Sequence, residues 1–505
     1  MVLCLFNAGY RLLSRIPSFN IFLSMKNEIL LLCIVFVPVI GSFILPVLGR
    51  FSKQLRNIIA LIFITISVIL SLIILPGILG GRDVLVSYQL IPGISFILQA
   101  DKLAIFMAIV SSFIGAIIIL YSIGYISHYE NQNEYYMMVV LFLGSMMGLI
   151  FSGNLIFLFL FWEITTIACW RLIGFFRGKI QVLRADKAFL ITVFGALIML
   201  MGFVILYSQT GSFDLAVIKK TLNGAPISNI VVLLILFGIF SKSATLPFHT
   251  WLPDAGVAPS PVTALLHAAV LVKIGVYVFA RLFIATFTLG TVWRIAVPVI
   301  AAVSMLISAG AAYVETDLKR ILAYSTISQI SFIFLGLAMR NEVSIAGGLL
   351  YILMHGLAKG GLFLCAGIVE QNTGTKDITK MGGLIKTMPV TAMAFLFCSF
   401  SVMGIPPFGG FFSKYMVITG AINEGQTIIA IVFFAGAILT LLYLLRVFAL
   451  VFLGDLKISQ VREKSATMVS SAAILAVLSL AGGIFIKYPA DFVATVVQQM
   501  LGIIK

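Results

Sequence analysis

Fourteen runs of mostly apolar residues, each about 20 long, constrain this 505-residue chain more than any other feature. A helix of that length spans the roughly 30 Å hydrocarbon core of a bilayer. The runs fall near 28–48, 56–79, 102–126, 135–152, 154–175, 186–208, 229–247, 260–283, 291–312, 320–338, 344–369, 390–418, 427–452 and 467–486. Composition agrees: 61% of residues are hydrophobic and 10% charged, with a mean hydropathy of +1.16. A soluble domain carries about a quarter charged residues. The chain therefore reads as an all-α polytopic membrane protein with no loop long enough for a soluble domain. The segment 83–100 alternates in polarity and is broken by Pro92 and Gly93, which predicts a hairpin outside the membrane.

The net charge of +15 sits in short loops or inside spans, so it excludes nucleic-acid binding rather than suggesting it. Loop lysines and arginines divide fifteen against twelve between the two sides, a bias that puts both termini outside the cytoplasm of a prokaryotic inner membrane. Residues 1–25 carry Arg11 and Arg15 among apolar residues; they predict an interfacial amphipathic helix, unless Met25 is the true start. No small-residue cleavage site follows them, so a removed signal peptide is not expected.

Cys4, Cys33, Cys169, Cys365 and Cys398 are scattered without a CxxC pair or a His/Cys spacing suited to a metal. Nucleotide-binding glycine patterns and a nucleophile elbow are also missing. Any redox chemistry belongs to a partner, and neither cofactor nor metal is expected.

Charges inside the spans carry the functional signal. A lysine at bilayer depth costs roughly 2.5–3.5 kcal/mol, so each one marks a functional candidate. Glu163 lies midway along LFLFWEITTIACW. Lys242 ends an apolar run that Pro247 cuts; His249, Trp251, Pro253 and Asp254 follow, and the next span carries His267 and Lys273. His355 and Lys359 are four apart and share a helix face. Lys414 follows GIPPFGGFF, a second proline break at Pro406 and Pro407. Proline inside a span frees backbone groups that only protein or a wet cavity can satisfy. The two broken spans are five apart, an odd offset that reverses the direction of equivalent helices, as in an inverted repeat. Arg171 and Arg446 lie nearer helix ends, where snorkelling or structural roles are expected. His267 and Lys273 are six apart, roughly 240° round a regular helix, so both cannot point straight at one path. The plain alternative for Glu163, Lys242, Lys359 and Lys414 is a static buried ion pair, and for His267 a satisfied core histidine.

Burial disfavours a charged lysine and a nearby carboxylate restores it. Making and breaking a contact between Glu163 and Lys242 would thus switch the lysine between holding and releasing a proton. Histidine titrates near neutrality, which suits His267 and His355 as intermediate carriers.

With those residues in view, the chain resembles the antiporter-like subunits shared by respiratory complex I, Mrp cation/proton antiporters, and membrane-bound nickel–iron hydrogenase and formate hydrogenlyase-type complexes. The likeness runs from about Ala100 to Leu453. It rests on FWEITT, FSKSATLPFHTWLPDA, PSPVTALLHAAVLVKIGVY, ETDLKRILAYSTISQ, HGLAKGGLFLCAG and GIPPFGGFFSK. The resemblance implies fourteen helices with two inverted five-helix repeats, spans 4–8 and 9–13. Residues 1–134 then hold spans 1–3 and the hairpin, 135–283 the first repeat, 291–452 the second, and 453–505 the last span and tail. It implies a pair formed by Glu163 and Lys242, a central chain of Lys273 or His267 with His355 and Lys359, and an exit at Lys414. It also implies no cofactor and work only inside a larger complex. Two features depart from the pattern: no long lateral helix follows span 14, and Arg171 stands where an uncharged residue is common. DITKMGGLIKTMPVTAMAF and YLLRVFALVFLGD look closest to hydrogenase-type members. The expected partners are other membrane subunits, antiporter-like or small channel-like, and a peripheral redox arm. The competing readings are an Mrp-type Na+/H+ antiporter subunit and the membrane partner of an inorganic-carbon uptake protein.

Overall fold

The computed structural model describes residues 27–504 apart from positions 92, 459–460 and 464. The helix expected at 1–25, with Arg11 and Arg15, lies outside the described residues. The elements run α1 (Asn27–Phe51), α2 (Lys53–Leu79), β1 (Val84–Ile91), β2 (Ile94–Ala100), α3 (Lys102–Tyr125), α4 (Gln132–Phe151), α5 (Leu155–Ile173), α6 (Lys179–Thr210) and α7 (Leu215–Leu222). They continue through α8 (Asn229–Lys242), α9 (Trp251–Asp254), α10 (Ser260–Ala264), α11 (Leu271–Phe283), α12 (Thr291–Val314), α13 (Leu318–Ala338) and α14 (Glu342–Thr373). The last five are α15 (Pro389–Met403), α16 (Gly409–Asn423), α17 (Thr427–Phe452), α18 (Ala466–Ile484) and α19 (Lys487–Met500).

Among the described residues twelve helical stretches are long and apolar enough to cross a membrane. The two expected spans missing from that set are the broken ones. Pro247 ends one after α8, and the Pro406–Pro407 break divides the other into α15 and α16. The hairpin forms as expected, with Val84 opposite Ala100 and Gly93 turning the chain at a φ of 85°. Polar caps mark the helix starts: Asp101 accepts from the Ala104 N–H, Asn154 from that of Ile156, and Asp317 from those of Lys319 and Arg320. α7 and the amphipathic α19 are additions that the hydropathy pattern did not announce.

Neighbour relations repeat at the five-span offset. α4 packs on α5, α5 on α6 and α6 on α8; in the same way α12 packs on α13, α13 on α14 and α14 on α16. The stretch Ser260–Phe283 is 100% buried within the protein, and α13 and α14 are each 94% buried, against 33% for α17. Side chains on the first three therefore meet protein, while much of α17 is exposed.

Candidate functional site

Helix α8 ends at Lys242, and the chain stays irregular until Trp251. Pro247 has no N–H to continue the helix. The Trp251 indole N–H donates to the freed Ser241 carbonyl at 2.9 Å, so protein satisfies part of the break. Lys242 is fully buried. Its Nζ donates to the Trp162 carbonyl at 3.1 Å and the Thr166 hydroxyl at 2.6 Å, and lies 5.2 Å from the centre of the Trp162 ring. Trp162 and Thr166 are one turn apart on a single face of α5. Glu163 is displaced by about 100° from that face. It makes no ion pair with Lys242 among the described residues, although the two charges interact at longer range, and its Oε1 is buried without a partner. The contact proposed as a switch is open in this structure. Arg171 does not alter it, because Arg171 and Arg177 both pair with Glu134.

The central group gathers round α14. Between α10 and α11 the helix widens into a π-turn over Leu265–Ala269, closed by the Val270 N–H on the Leu265 carbonyl at 3.1 Å. This turn overturns the 240° expectation, which assumed a regular helix. The His267 ring stacks on Phe363 at 4.3 Å between centroids, and Lys273 donates to the Ala268 carbonyl beside Gly356. Phe363 and Gly356 are seven apart on α14, so His267 and Lys273 both address one face of it. His355 is buried edge-on to Tyr351 at 5.8 Å; both its nitrogens, like both of His267, have no protein partner. Lys273, Lys359, Lys414 and His267 all lie within electrostatic reach of His355.

Lys359 donates to the Leu322 carbonyl at 3.1 Å and to Ser325 at 2.6 Å, a carbonyl-plus-hydroxyl seat like that of Lys242. Lys414 donates to the Val402 carbonyl at 2.6 Å, with its Nζ 4.6 Å from the Phe332 ring centre. Each broken span thus sets a lysine over an aromatic ring, Trp162 on α5 and Phe332 on α13, at the same five-span offset.

Sequence reasoning missed the polar links between these lysines. Tyr443 donates to Ser325 at 2.7 Å, Gln329 to Thr440 at 3.1 Å and to Tyr443 at 3.5 Å, and Tyr351 to Gln329 at 2.6 Å. The Tyr351 ring centre lies 5.6 Å from Lys414 Nζ. Side chains therefore run from Lys359 through Ser325, Tyr443, Gln329 and Tyr351 to Lys414. The run STISQ on an otherwise apolar span was a readable hint; Tyr443 gave none. Glu163 and Lys242 stand apart, Lys242 interacting at longer range with Glu163 and Cys169 rather than with the central group.

An alanine at Gly356 would push its Cβ against Lys273 Nζ and the Ile114 Cδ1 methyl. We expect Gly356→Ala to cost about 1–3 kcal/mol of stability by crowding the ammonium, read by thermal unfolding. Unchanged melting would show that the pocket is looser than the structure implies.

At one membrane face the loop after the first break is tied down. Asp254 pairs with Lys187 at 2.7 Å and Arg320 at 2.9 Å, and Lys319 with Glu370 at 2.5 Å. Burial alone would push the Asp254 carboxyl up; Lys187 and Arg320 outweigh it and hold it below the ordinary carboxylate value. Its tether is therefore complete above the ordinary carboxylate range and is lost as pH falls through the lowered folded value. Arg446 donates to the carbonyls of Tyr313 and Glu315 at the end of α12, the structural role expected of it. Among the described residues no group of His, Cys, Asp or Glu is arranged to hold a metal.

Residues 152–440 match the family model described as NADH:quinone oxidoreductase/Mrp antiporter, TM, and residues 92–136 match that of NADH-Ubiquinone oxidoreductase (complex I), chain 5 N-terminus. The Na(+)/H(+) antiporter subunit A1 of Staphylococcus aureus is 33% identical over 486 residues. That match takes in 89% of this chain and 60% of the relative, so the chain spans less than two thirds of the relative's length. In solved structures, a chain of the Mrp complex from Dietzia sp. DQ12-45-1b superposes with a TM-score of 0.86 at 23% identity, covering 94% of this chain and 97% of that one. A chain of the membrane-bound sulfane sulfur reductase, an archaeal respiratory membrane complex, gives 0.87 at 23% identity, covering 93% and 97%. With the broken spans and buried lysines placed as described, and more than half of its length matched by the first of these models, the chain belongs to the NADH:quinone oxidoreductase/Mrp antiporter transmembrane family.

Proposed function

We propose that this chain translocates protons as an antiporter-like subunit of a multi-subunit membrane complex, using Glu163, Lys242, Lys273, His267, His355, Lys359 and Lys414. The observation that carries the reading is the convergence of three lysines and His267 round His355, without an acidic partner among the described residues. A static ion pair would seat each lysine on a carboxylate. Here the lysines are seated on carbonyls and hydroxyls, which hold an ammonium yet leave it free to release its proton. The unpartnered histidine nitrogens supply places for that proton to go. Lys359→Met in the assembled complex, reconstituted in liposomes with a pH-sensitive dye, should reduce proton flux by two orders of magnitude or more, on the order of one lost proton-transfer step. Flux equal to that of the parent would remove Lys359 from the path.

Two sources of drive fit such a path. One is a peripheral redox arm, as in membrane-bound hydrogenase-type complexes; the other is exchange of Na+ against H+ down an existing gradient. The relatives named Na(+)/H(+) antiporter subunit A1 favour the second. Its test is a sodium pulse given to everted vesicles containing the chain with its co-purifying subunits. Proton movement on the pulse upholds exchange, and movement only on addition of an electron donor upholds the redox arm. The distribution of loop charges supports a reading with both termini outside the cytoplasm of a prokaryotic inner membrane.

A further inference from the structure

At the membrane face where α12, α14 and α17 begin lies a polar cleft of about 410 Å3, lined by Arg294, Ala338, Met339, Arg340, Glu424 and Gln426. Two guanidinium groups face it and neither has an ion-pair partner among the described residues. Arg340 Nη1 is buried with no hydrogen-bond acceptor. Glu424, the carboxylate in the lining, instead accepts from Asn341 Nδ2 at 3.3 Å. Burial and the Arg294 charge both push Arg340 below its ordinary value, so the pair repel each other across the cleft. Arg340 also holds a left-handed φ of 59°, an uncommon backbone for a side chain of its size. The starts of α12 and α17 have no side-chain cap, which leaves free N–H groups and the positive ends of two long helices nearby. An unpaired positive cleft of this kind calls for an anion.

The surroundings say which anion. Val292 and Ile295 beside Arg294 are each 58% exposed, and Ile428, two residues from Gln426, is 79% exposed. Exposed apolar side chains at the starts of two spans suit the acyl chains of a lipid. Trp293 adjoins Arg294, and tryptophan concentrates at headgroup level. We infer that the cleft between Arg294 and Arg340 binds the phosphate headgroup of an anionic phospholipid whose acyl chains lie against the apolar starts of α12 and α17. The site is independent of the proton path.

Native mass spectrometry of the full chain titrated with phosphatidylglycerol tests it. The parent protein should hold one phosphatidylglycerol in preference to phosphatidylcholine. Arg294→Gln/Arg340→Gln should weaken that binding on the order of thirtyfold, as expected for two basic residues at an anionic surface. Arg294→Lys/Arg340→Lys should retain most of it. Arg294 is exposed, so Arg294→Gln alone gives a readout even if the double variant melts early. Equal lipid binding by the glutamine variants and the parent would overturn the site. Displacement of the lipid by millimolar inorganic phosphate would overturn the lipid assignment in favour of a free anion, and resistance to phosphate would uphold it.

Discussion

Lys242→Met should abolish proton movement by the assembled protein while leaving its melting temperature within a few degrees of the parent. The structural half of that expectation follows from the hydrogen bonds. The Trp162 carbonyl that receives Lys242 also accepts from Thr165 at 2.6 Å and Thr166 at 3.0 Å. Thr166 itself donates to that carbonyl. Removing the ammonium therefore strands no buried polar atom, and methionine fills nearly the same space. Losing an unpaired buried charge in this way is often neutral or stabilising. The functional half follows because Lys242 is the buried ammonium at the first break, with Glu163 within electrostatic reach to bias its proton. Lys242→Arg sharpens the test. Arginine keeps the positive charge but does not release its proton at any physiological pH. If Lys242 only supplies a field, the arginine variant pumps; if it carries a proton, both variants are dead. Dye-monitored acidification of proteoliposomes, with thermal unfolding as a control, decides between them. Glu163→Gln should likewise leave stability unchanged, since its buried Oε1 has no partner to lose.

Most of the architecture was legible because a bilayer imposes one length on every span. The apolar runs located the spans to within a few residues, and the prolines at 247, 406 and 407 located both breaks. The hairpin over 83–100 was equally plain from its alternation and its turn. What stayed hidden were relations between helices. The π-turn at Leu265–Ala269 has no signature in LLHAA, so His267 and Lys273 looked unable to point straight at one path, although both address one face of α14. The chain from Ser325 through Tyr443 and Gln329 to Tyr351 uses three separate helices, α13, α14 and α17. Each member alone is an ordinary polar residue in a span. Glu163 and Lys242 looked like a contact pair because opposite charges at depth attract. The one-residue offset between Glu163 and Trp162 turns the carboxylate away from the lysine. Arg281, near the end of its span, gave no sign of its partner, because Asp101 lies 180 residues away in the sequence.

That arginine carries the second large effect, this time on stability. Asp101 and Arg281 are only 8% and 7% exposed. Arg281 donates to both carboxylate oxygens of Asp101, at 2.8 Å for the Nη2 contact, and to the Tyr277 hydroxyl at 3.1 and 3.0 Å. Tyr277 in turn donates to the Ile150 carbonyl. One ion pair thus fixes the end of α11, which carries Lys273, against the starts of α3 and the end of α4. Asp101→Asn isolates the charge. Asparagine caps a helix about as well as aspartate, so the bond from the Ala104 N–H survives. What is lost is the carboxylate, which leaves a buried guanidinium uncompensated at a cost of about 3–5 kcal/mol. Chemical unfolding of the purified protein in detergent should show that loss. Asp101→Asn/Arg281→Met, which removes both charges, should recover most of it. If the double variant is as unstable as the single one, the pair matters for its shape and hydrogen bonds rather than for buried charge. If Asp101→Asn is harmless, water reaches Arg281 and the ends of α3 and α11 are held together by packing alone.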